Sequence, residues 1–519
     1  MEPVVAARAD WLGEALGMVL SETSSLPLTR RLYRALRDWV QSGRLASGAR
    51  LPSSRRLARE LGVGRNTVLD ALDQLVAEGF LEARPGAGTY VADLPFSHVE
   101  APSPEASADP SPAASLSARG ERLLRLSGAS AGHHEAFPPG VPALDRFSDE
   151  LWQRLLRRHR RRAPEAWRDY RAEGGVPALR EALCDYLRLS RSVRCRPEQV
   201  LVVQGAQQGF ELIARMLADP GEAVWMEEPG YGGARASFEA SGLAMVPAPV
   251  DDEGLNPARV PAGHGDPRLI YLTPSHQYPC GVTMSLARRL ALLEAAEAHG
   301  AWIVEDDYDS EFRYGQRPVA ALQGLTEAAR VIYVGTLSKV LYPGLRLAYL
   351  VLPMPLVEPF RRANARLHRE AQYPVQAALG EFIAAGHFSR HVRRMRECYR
   401  QRQALLRQAL APAVARGLVL SEGQAGMHLV AWLDDPAHEA ALVERGEVAG
   451  ITLSPLSGFY QQAPGRPGLV LGYAGTRDEE IGRAGRRLAE AWLALVEGVD
   501  RRNWLKETAE PPAPGSTIL

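Results

Sequence analysis

Apolar residues recur at helical spacing in PLTRRLYRALRDWVQSG (27–43). There Leu28, Leu32, Leu36 and Trp39 or Val40 share a face, and Gly43 can stop the helix. LPSSRRLARELGV (51–63) predicts a second helix, with Ser53 or Ser54 as N-cap, Leu57, Ala58 and Leu61 turned inward, and Gly62 as its C-terminal breaker. A third helix is predicted over 65–79, with Val68, Leu69, Leu72, Leu75 and Val76 on one face. After it, FLEARPGAGTYV (80–91) reads as two short strands around a glycine-rich turn. Helices, tight turn and hairpin together predict a winged helix-turn-helix.

The pattern then changes twice. Residues 93–130 are rich in Pro, Ala and Ser and show little sustained periodicity, as expected of a flexible linker. From 131 to 500, apolar strand-like runs alternate with amphipathic helices, which predicts an α/β domain with a largely parallel sheet. Residues 501–519 are expected to form a disordered tail. The chain is therefore expected to be multidomain, with an α+β module over 26–92 and an α/β domain over 131–500. A length of 519 residues agrees, since one hydrophobic core rarely serves so many.

Charge refines this picture. With 61 basic and 61 acidic residues the chain is not a globally basic nucleic-acid binder. Residues 28–92, however, hold eleven Arg against six Asp or Glu, so the first module can still approach DNA. Its third helix begins with Arg65, Asn66 and Thr67: Arg suits guanine, Asn suits adenine, and Thr suits a phosphate or a thymine methyl. The four cysteines are scattered, without a Cys-x-x-Cys pair or a His/Cys cluster at zinc spacing, so neither a disulfide framework nor a metal site is expected. No segment reaches the apolar length that spans a bilayer, and the start of the chain lacks a leader pattern, so the expected location is the cytoplasm.

Of the 61 basic residues only two are lysines, Lys339 and Lys506. Lys506 lies in the polar tail. Lys339 sits in the apolar stretch GTLSKVLYPGLRL (335–347), where an amine able to lose its proton can form an imine and a guanidinium cannot. A pyridoxal phosphate (PLP) site needs such a lysine, together with an acid at the pyridine nitrogen, a donor to the ring oxygen, a stacked aromatic and a phosphate cradle. The apolar run Trp302–Val304 ends in Glu305, Asp306 and Asp307, beyond which Tyr308 can reach a ring oxygen; spacing alone does not choose between the two aspartates. The turn before LVVQGAQQGFELIARML (201–217) becomes a helix offers the amides of Ala206 and Gln207 to a phosphate. Tyr231 in EEPGYGG (227–233) can stack, and Thr336, Ser338 and Arg346 are candidate phosphate ligands beside Lys339.

Residues 48–91, GARLPSSRRLARELGVGRNTVLDALDQLVAEGFLEARPGAGTYV, resemble the winged helix of GntR-type regulators. By that resemblance Arg55, Arg65, Asn66 and Thr67 contact DNA, with Gly86 in the wing. Gly64 stands where that family often has Ser or Thr, at small cost because Gly is an acceptable N-cap. The second domain resembles fold-type-I aminotransferases, and the whole chain resembles the MocR/GabR-type regulators that join the two. The most specific stretches are YLTPSHQYPCGVTMS (271–285), WIVEDDYDSEFRY (302–314), VIYVGTLSKVLYPGLRLAYL (331–350) and HVRRMRECYRQR (391–402).

The resemblance implies PLP held by Lys339 as an internal aldimine, with Asp306 at the pyridine nitrogen, Tyr308 at the ring oxygen, Tyr231 stacked, and Ser338 with Arg346 at the phosphate. It further implies a homodimer that reads a double-stranded DNA operator and responds to an amine, an amino acid or PLP itself. Two departures from aminotransferases stand out. The Asn-Pro-x-Gly stretch is Tyr278-Pro279-Cys280-Gly281 here, so His276 or Tyr278 is expected to replace the missing Asn. Val470 in LVLGYAGT (469–476) occupies the place of the arginine that clamps a substrate carboxylate. That argues for imine exchange as a sensing event, and against the alternative of a working aminotransferase with an autoregulatory DNA-binding module.

Overall fold

The chain divides into two units, residues 1–115 and 116–519. The computed structural model describes residues 12–21, 25–93, 116–126, 136–261, 263, 265–314, 319–326, 330–462 and 465–498. The tail over 501–519 and most of the expected linker lie outside them.

In the first unit, α1 (Leu12–Ser21), α2 (Leu28–Gln41), α3 (Ser54–Leu61) and α4 (Arg65–Ala77) precede a hairpin of β1 (Leu81–Arg84) and β2 (Gly88–Val91). Leu32, Leu36, Leu57, Val68, Leu72 and Leu75 fill the core, as helical spacing requires. Leu28 does not join them and is 45% exposed, because it is the first helical residue and projects beyond the packed turns. Ser53 caps α3 by accepting from the Arg56 amide, and Gly62 ends it at φ +65°. The unit starts earlier than residue 26: Leu12 and Leu16 of α1 are buried in the same core.

The second unit opens with α5 (Ala118–Leu126), a helix inside the stretch expected to be a structureless linker; its Arg122 meets Glu239 at 3.3 Å. There follow α6 (Asp149–Arg161), α7 (Pro177–Arg191), β3 (Val200–Val203), α8 (Ala206–Leu217), β4 (Ala223–Glu228), α9 (Gly232–Ala240), β5 (Ala244–Asp251) and β6 (Gly254–Leu255). Next come β7 (Pro267–Leu272), α10 (Leu286–Ala298), β8 (Trp302–Asp307), β9 (Val331–Thr336) and β10 (Ala348–Val351). These strands form one sheet in the order β3-β10-β9-β8-β7-β4-β5-β6.

Pairing is parallel from β9 through β8, β7 and β4 to β5, whereas β10 runs antiparallel between β3 and β9. The strands read as continuous apolar runs because helices cover both faces. A direction shared by β3, β4, β7, β8 and β9 sends the loop after each strand out of the same sheet edge, where open α/β sheets bind ligands.

The chain then continues through α11 (Met354–Leu367), α12 (Tyr373–Ala384) and the long α13 (His387–Val414). A four-stranded antiparallel sheet follows, built from β11 (Val419–Leu420), β12 (His428–Trp432), β13 (Ser454–Pro455) and β14 (Gly468–Gly472). It is accompanied by α14 (Pro436–Val448) and α15 (Asp478–Val496). No helix among the described residues is long and apolar enough to cross a membrane.

Candidate cofactor site and DNA reader

The loops at that sheet edge close around a cavity of about 160 Å³. Ala206 and Gln207 line it from the first turn of α8, Tyr231 from the N-cap of α9, and Asp306 and Tyr308 from the end of β8. Tyr278, Thr336, Ser338, Lys339 and Arg346 line it as well, so every cofactor-site candidate named from the sequence except His276 meets there. Local packing explains how Lys339 reaches the cavity: Leu337, Val340 and Leu341 are buried in the core, which turns Ser338 and Lys339 the other way.

Strand alternation settles which aspartate faces the cavity. Glu305 and Asp307 point to the opposite side: Glu305 accepts the amides of Leu322 and Gln323, and Asp307 binds Arg191 at 2.8 Å and the Tyr333 hydroxyl at 2.6 Å. Asp306 accepts from the Tyr271 hydroxyl at 2.6 Å through Oδ2, while its Oδ1 is buried without a protein partner. Burial pushes the Asp306 carboxyl up to about 7; Asp307 adds to the rise, and Tyr271 and Lys339 oppose it. Burial likewise pulls the Lys339 ammonium below its usual range, against Asp306 and Asp309.

The cavity is shaped for a ligand with an anionic end. First-turn amides of α8 have no helical carbonyl to bond, and they open on it. Gly205, at φ +101°, leaves room for the Arg346 guanidinium, which a Cβ would meet at 3.1 Å. A Cβ at Gly140, at φ +69°, would lie 2.8 Å from the Lys339 amine. Orphaned Asp306 Oδ1, the free amides, the two glycines and the lysine fit PLP.

His276 is placed differently from the other candidates. It does not line the cavity; its Nδ1 lies 2.9 Å from the Tyr308 hydroxyl and 2.9 Å from Asp309 Oδ2. One ring nitrogen carries either a proton or a lone pair, so it serves one of these partners at a time. His428 donates from Nε2 to the Pro279 carbonyl at 2.8 Å, and burial pushes its pKa down to about 3, so the ring stays neutral. His276, Asp309 and His428 bring ligand-type atoms within 4.8 Å of one another, a grouping that no spacing in the sequence reveals. Tyr278 lines the cavity directly, with its ring edge-on to Tyr231 at 5.8 Å and to Tyr308 at 5.7 Å.

Several residues of the site escape a reading of the sequence. Tyr271, Thr273, Gly140, Gly205 and Pro343 also line the cavity. Buried Glu227 holds the 273–278 loop through the Thr273 amide and hydroxyl and the Gln277 side chain, and burial pushes its carboxyl up to about 7. Tyr271 could have been found only from the β7–β8 neighbourhood, which is not legible locally. Val470 lies buried on β14 against Val430 and Leu456 in a small apolar cluster bordered by Phe459, whose ring meets Tyr278 at 5.4 Å.

In the first unit, Arg65 and Asn66 are exposed at the start of α4, Thr67 is half-buried beside them, and Arg55 is exposed on α3. Gly64 occupies the N-cap in an extended conformation without a side-chain cap. Gly86 sits in the wing turn at φ +72°. Arg84, not singled out by the sequence, stacks on Tyr90 with its guanidinium 4.5 Å from the ring centre and pairs with Glu82 at 3.4 Å.

Residues 28–91 match the family model "Bacterial regulatory proteins, gntR family", and residues 144–488 match "Aminotransferase class I and II". The "Probable rhizopine catabolism regulatory protein MocR" of Rhizobium meliloti is 42% identical over 92% of this chain and 96% of its own length. This chain belongs to the MocR-type regulators. Two further regulators match over most of their length. The "HTH-type transcriptional regulator TauR" of Rhodobacter capsulatus is 35% identical over 84% of this chain and 90% of that one. The "HTH-type pyridoxine biosynthesis transcriptional regulator PdxR" of Corynebacterium glutamicum is 32% identical over 88% and 94%. Among solved structures, LysN, the α-aminoadipate aminotransferase of Thermus thermophilus bound to a phosphopyridoxyl-leucine adduct, is 27% identical. It has a TM-score of 0.64 and covers 74% of this chain and 96% of that one. As a MocR-type regulator, the chain is a DNA-binding transcription regulator with a PLP-binding aminotransferase-like domain.

Proposed function

We propose that this MocR-type regulator senses a primary amine, an amino acid or PLP itself at Lys339, and that occupancy there changes how the winged helix engages its operator. The reading rests on one observation: Lys339, a rare lysine with a lowered pKa, opens on the same cavity as Asp306, Tyr231, Tyr308 and the phosphate-type donors. When bound, PLP supplies an aldehyde carbon that exchanges one amine for another. The Lys339 amine gives up its proton readily because burial disfavours the ammonium. Asp306 would hold the pyridine nitrogen's proton through its free Oδ1, and Tyr308 would donate to the ring oxygen when His276 Nδ1 is engaged by Asp309. Tyr231 and Tyr278 would flank the ring. Ala206 and Gln207 amides with Thr336, Ser338 and Arg346 would hold the phosphate.

Arg55, Arg65, Asn66 and Thr67 are assigned to the operator, and Gly86 to the close approach of the wing. Operator half-sites are read in pairs, which favours a homodimer acting in the cytoplasm. The buried apolar surroundings of Val470 favour exchange over steady turnover of ordinary α-amino acids. Borohydride reduction of the purified protein followed by peptide mapping tests the assignment. The cofactor mass is expected on the peptide carrying Lys339, and Lys339→Ala is expected to lose both the visible absorbance and the response to effector. A wild-type protein without that absorbance, together with unchanged regulation by Lys339→Ala, would contradict it.

A further inference from the structure

Outside the cofactor cavity and the reader, α6 carries a one-sided cluster of positive charge. Trp152 and Leu155 bury its inner face, while Arg154, Arg157, Arg158, Arg161 and Arg162 surround one shallow hollow on its outer side. The spacing i, i+3, i+4, i+7, i+8 puts them on one stripe about 12 Å long, at about 1.5 Å per residue. No acid follows Glu150 in the helix. Glu381 meets Arg158, and His159 at 2.8 Å, but among the described residues no ion pair neutralises the other four arginines. The field extends to the start of α13, where burial, then Arg390 and Arg154, lowers the pKa of His387.

The helix dipole favours cations in the last turn only, and Arg154 and Arg157 precede it. In a chain with equal numbers of acids and bases, a stripe of one sign on one helix also departs from an ordinary mixed surface. Guanidinium forks match phosphate oxygens two by two. A stripe of about 12 Å spans about three phosphates of one strand, at about 3.4 Å of helix axis each.

We propose that this arginine face of the effector unit binds the phosphate backbone of double-stranded DNA, as a sequence-independent contact additional to the winged helix. The proposal rests on the chain's function as a DNA-binding regulator. The contact adds to affinity and to salt dependence without adding base discrimination.

The test is the salt dependence of binding by the full-length, PLP-loaded protein to operator and to unrelated duplex of equal length. Wild type is compared with a variant carrying Arg154→Ala, Arg157→Ala and Arg161→Ala, and with one carrying Lys at the same three positions. Retained PLP absorbance and an unchanged melting temperature show that the variants are folded. Each phosphate contact contributes about 0.9 to the slope of log affinity against log salt, so the Ala variant is expected to be shallower by about 2 to 3 on both duplexes, with Lys restoring most of it. An Ala variant with unchanged slope and affinity overturns the proposal and leaves the face to an acidic protein partner. A wild type that binds no operator at all would instead overturn the DNA-binding reading itself.

Discussion

The role proposed for Asp306 can be read from its titration. With the cofactor removed, burial holds its pKa up at about 7, whereas in an unfolded chain it titrates near 4. Between those values the folded protein keeps a proton that the unfolded chain loses. This group's contribution to stability is therefore full below pH about 4 and lost as pH rises through about 7. Asp306→Asn keeps an acceptor for Tyr271 and abolishes that titration. The cofactor-free variant is expected to lose less melting temperature than cofactor-free wild type between pH 5 and pH 8, and to bind PLP much more weakly. Equal losses in the two proteins would remove Asp306 from this role. Lys339 was legible in the sequence because lysine is so rare in this chain. The choice of Asp306 over Asp307 was not, since a strand buried on both faces has no polar alternation to show its phase. Gly140 and Tyr271 were hidden for a related reason: each matters through a neighbour far away in the chain.

At the scale of elements, the reader's helices were readable because each has a one-sided apolar stripe and a local stop signal, Ser53 and Gly62 framing α3 most clearly. Ser53→Ala removes the acceptor for the Arg56 amide and is expected to cost about 1 kcal/mol of stability in the first unit. Gly64 offers the opposite case. Its backbone is extended, and a Cβ there would meet Thr67 Oγ1 at 3.6 Å, an ordinary contact. Gly64→Ser is expected to stabilise the same unit by a few tenths of a kcal/mol. Thermal unfolding followed by amide exchange of α3 and α4 reads both changes, and a destabilising Gly64→Ser would show that the N-cap needs the glycine. Helix α5 was missed because its nine residues sit in a Pro- and Ser-rich context. Helix α1 was missed because its Leu12 and Leu16 find their partners only in the folded core.

For the whole molecule, the two-part plan was legible from the change of texture near residue 93 and from the alternating strands and helices beyond it. The strand order was not. The antiparallel β10 lies between β3 and β9, and the loops that follow those two strands still bring Ala206 and Lys339 to one cavity. On the proposed reading, sensing and DNA binding are two ligand equilibria of one chain, so an effector that changes operator affinity must itself bind with different affinity when operator is present. The most direct test titrates a panel of amines, amino acids and PLP into the full-length protein while visible absorbance and operator affinity are followed together. At least one compound is expected to shift both with a common midpoint, and to shift neither in Lys339→Ala. If every compound that changes the absorbance leaves operator affinity untouched, Lys339 does not sense for the DNA reader.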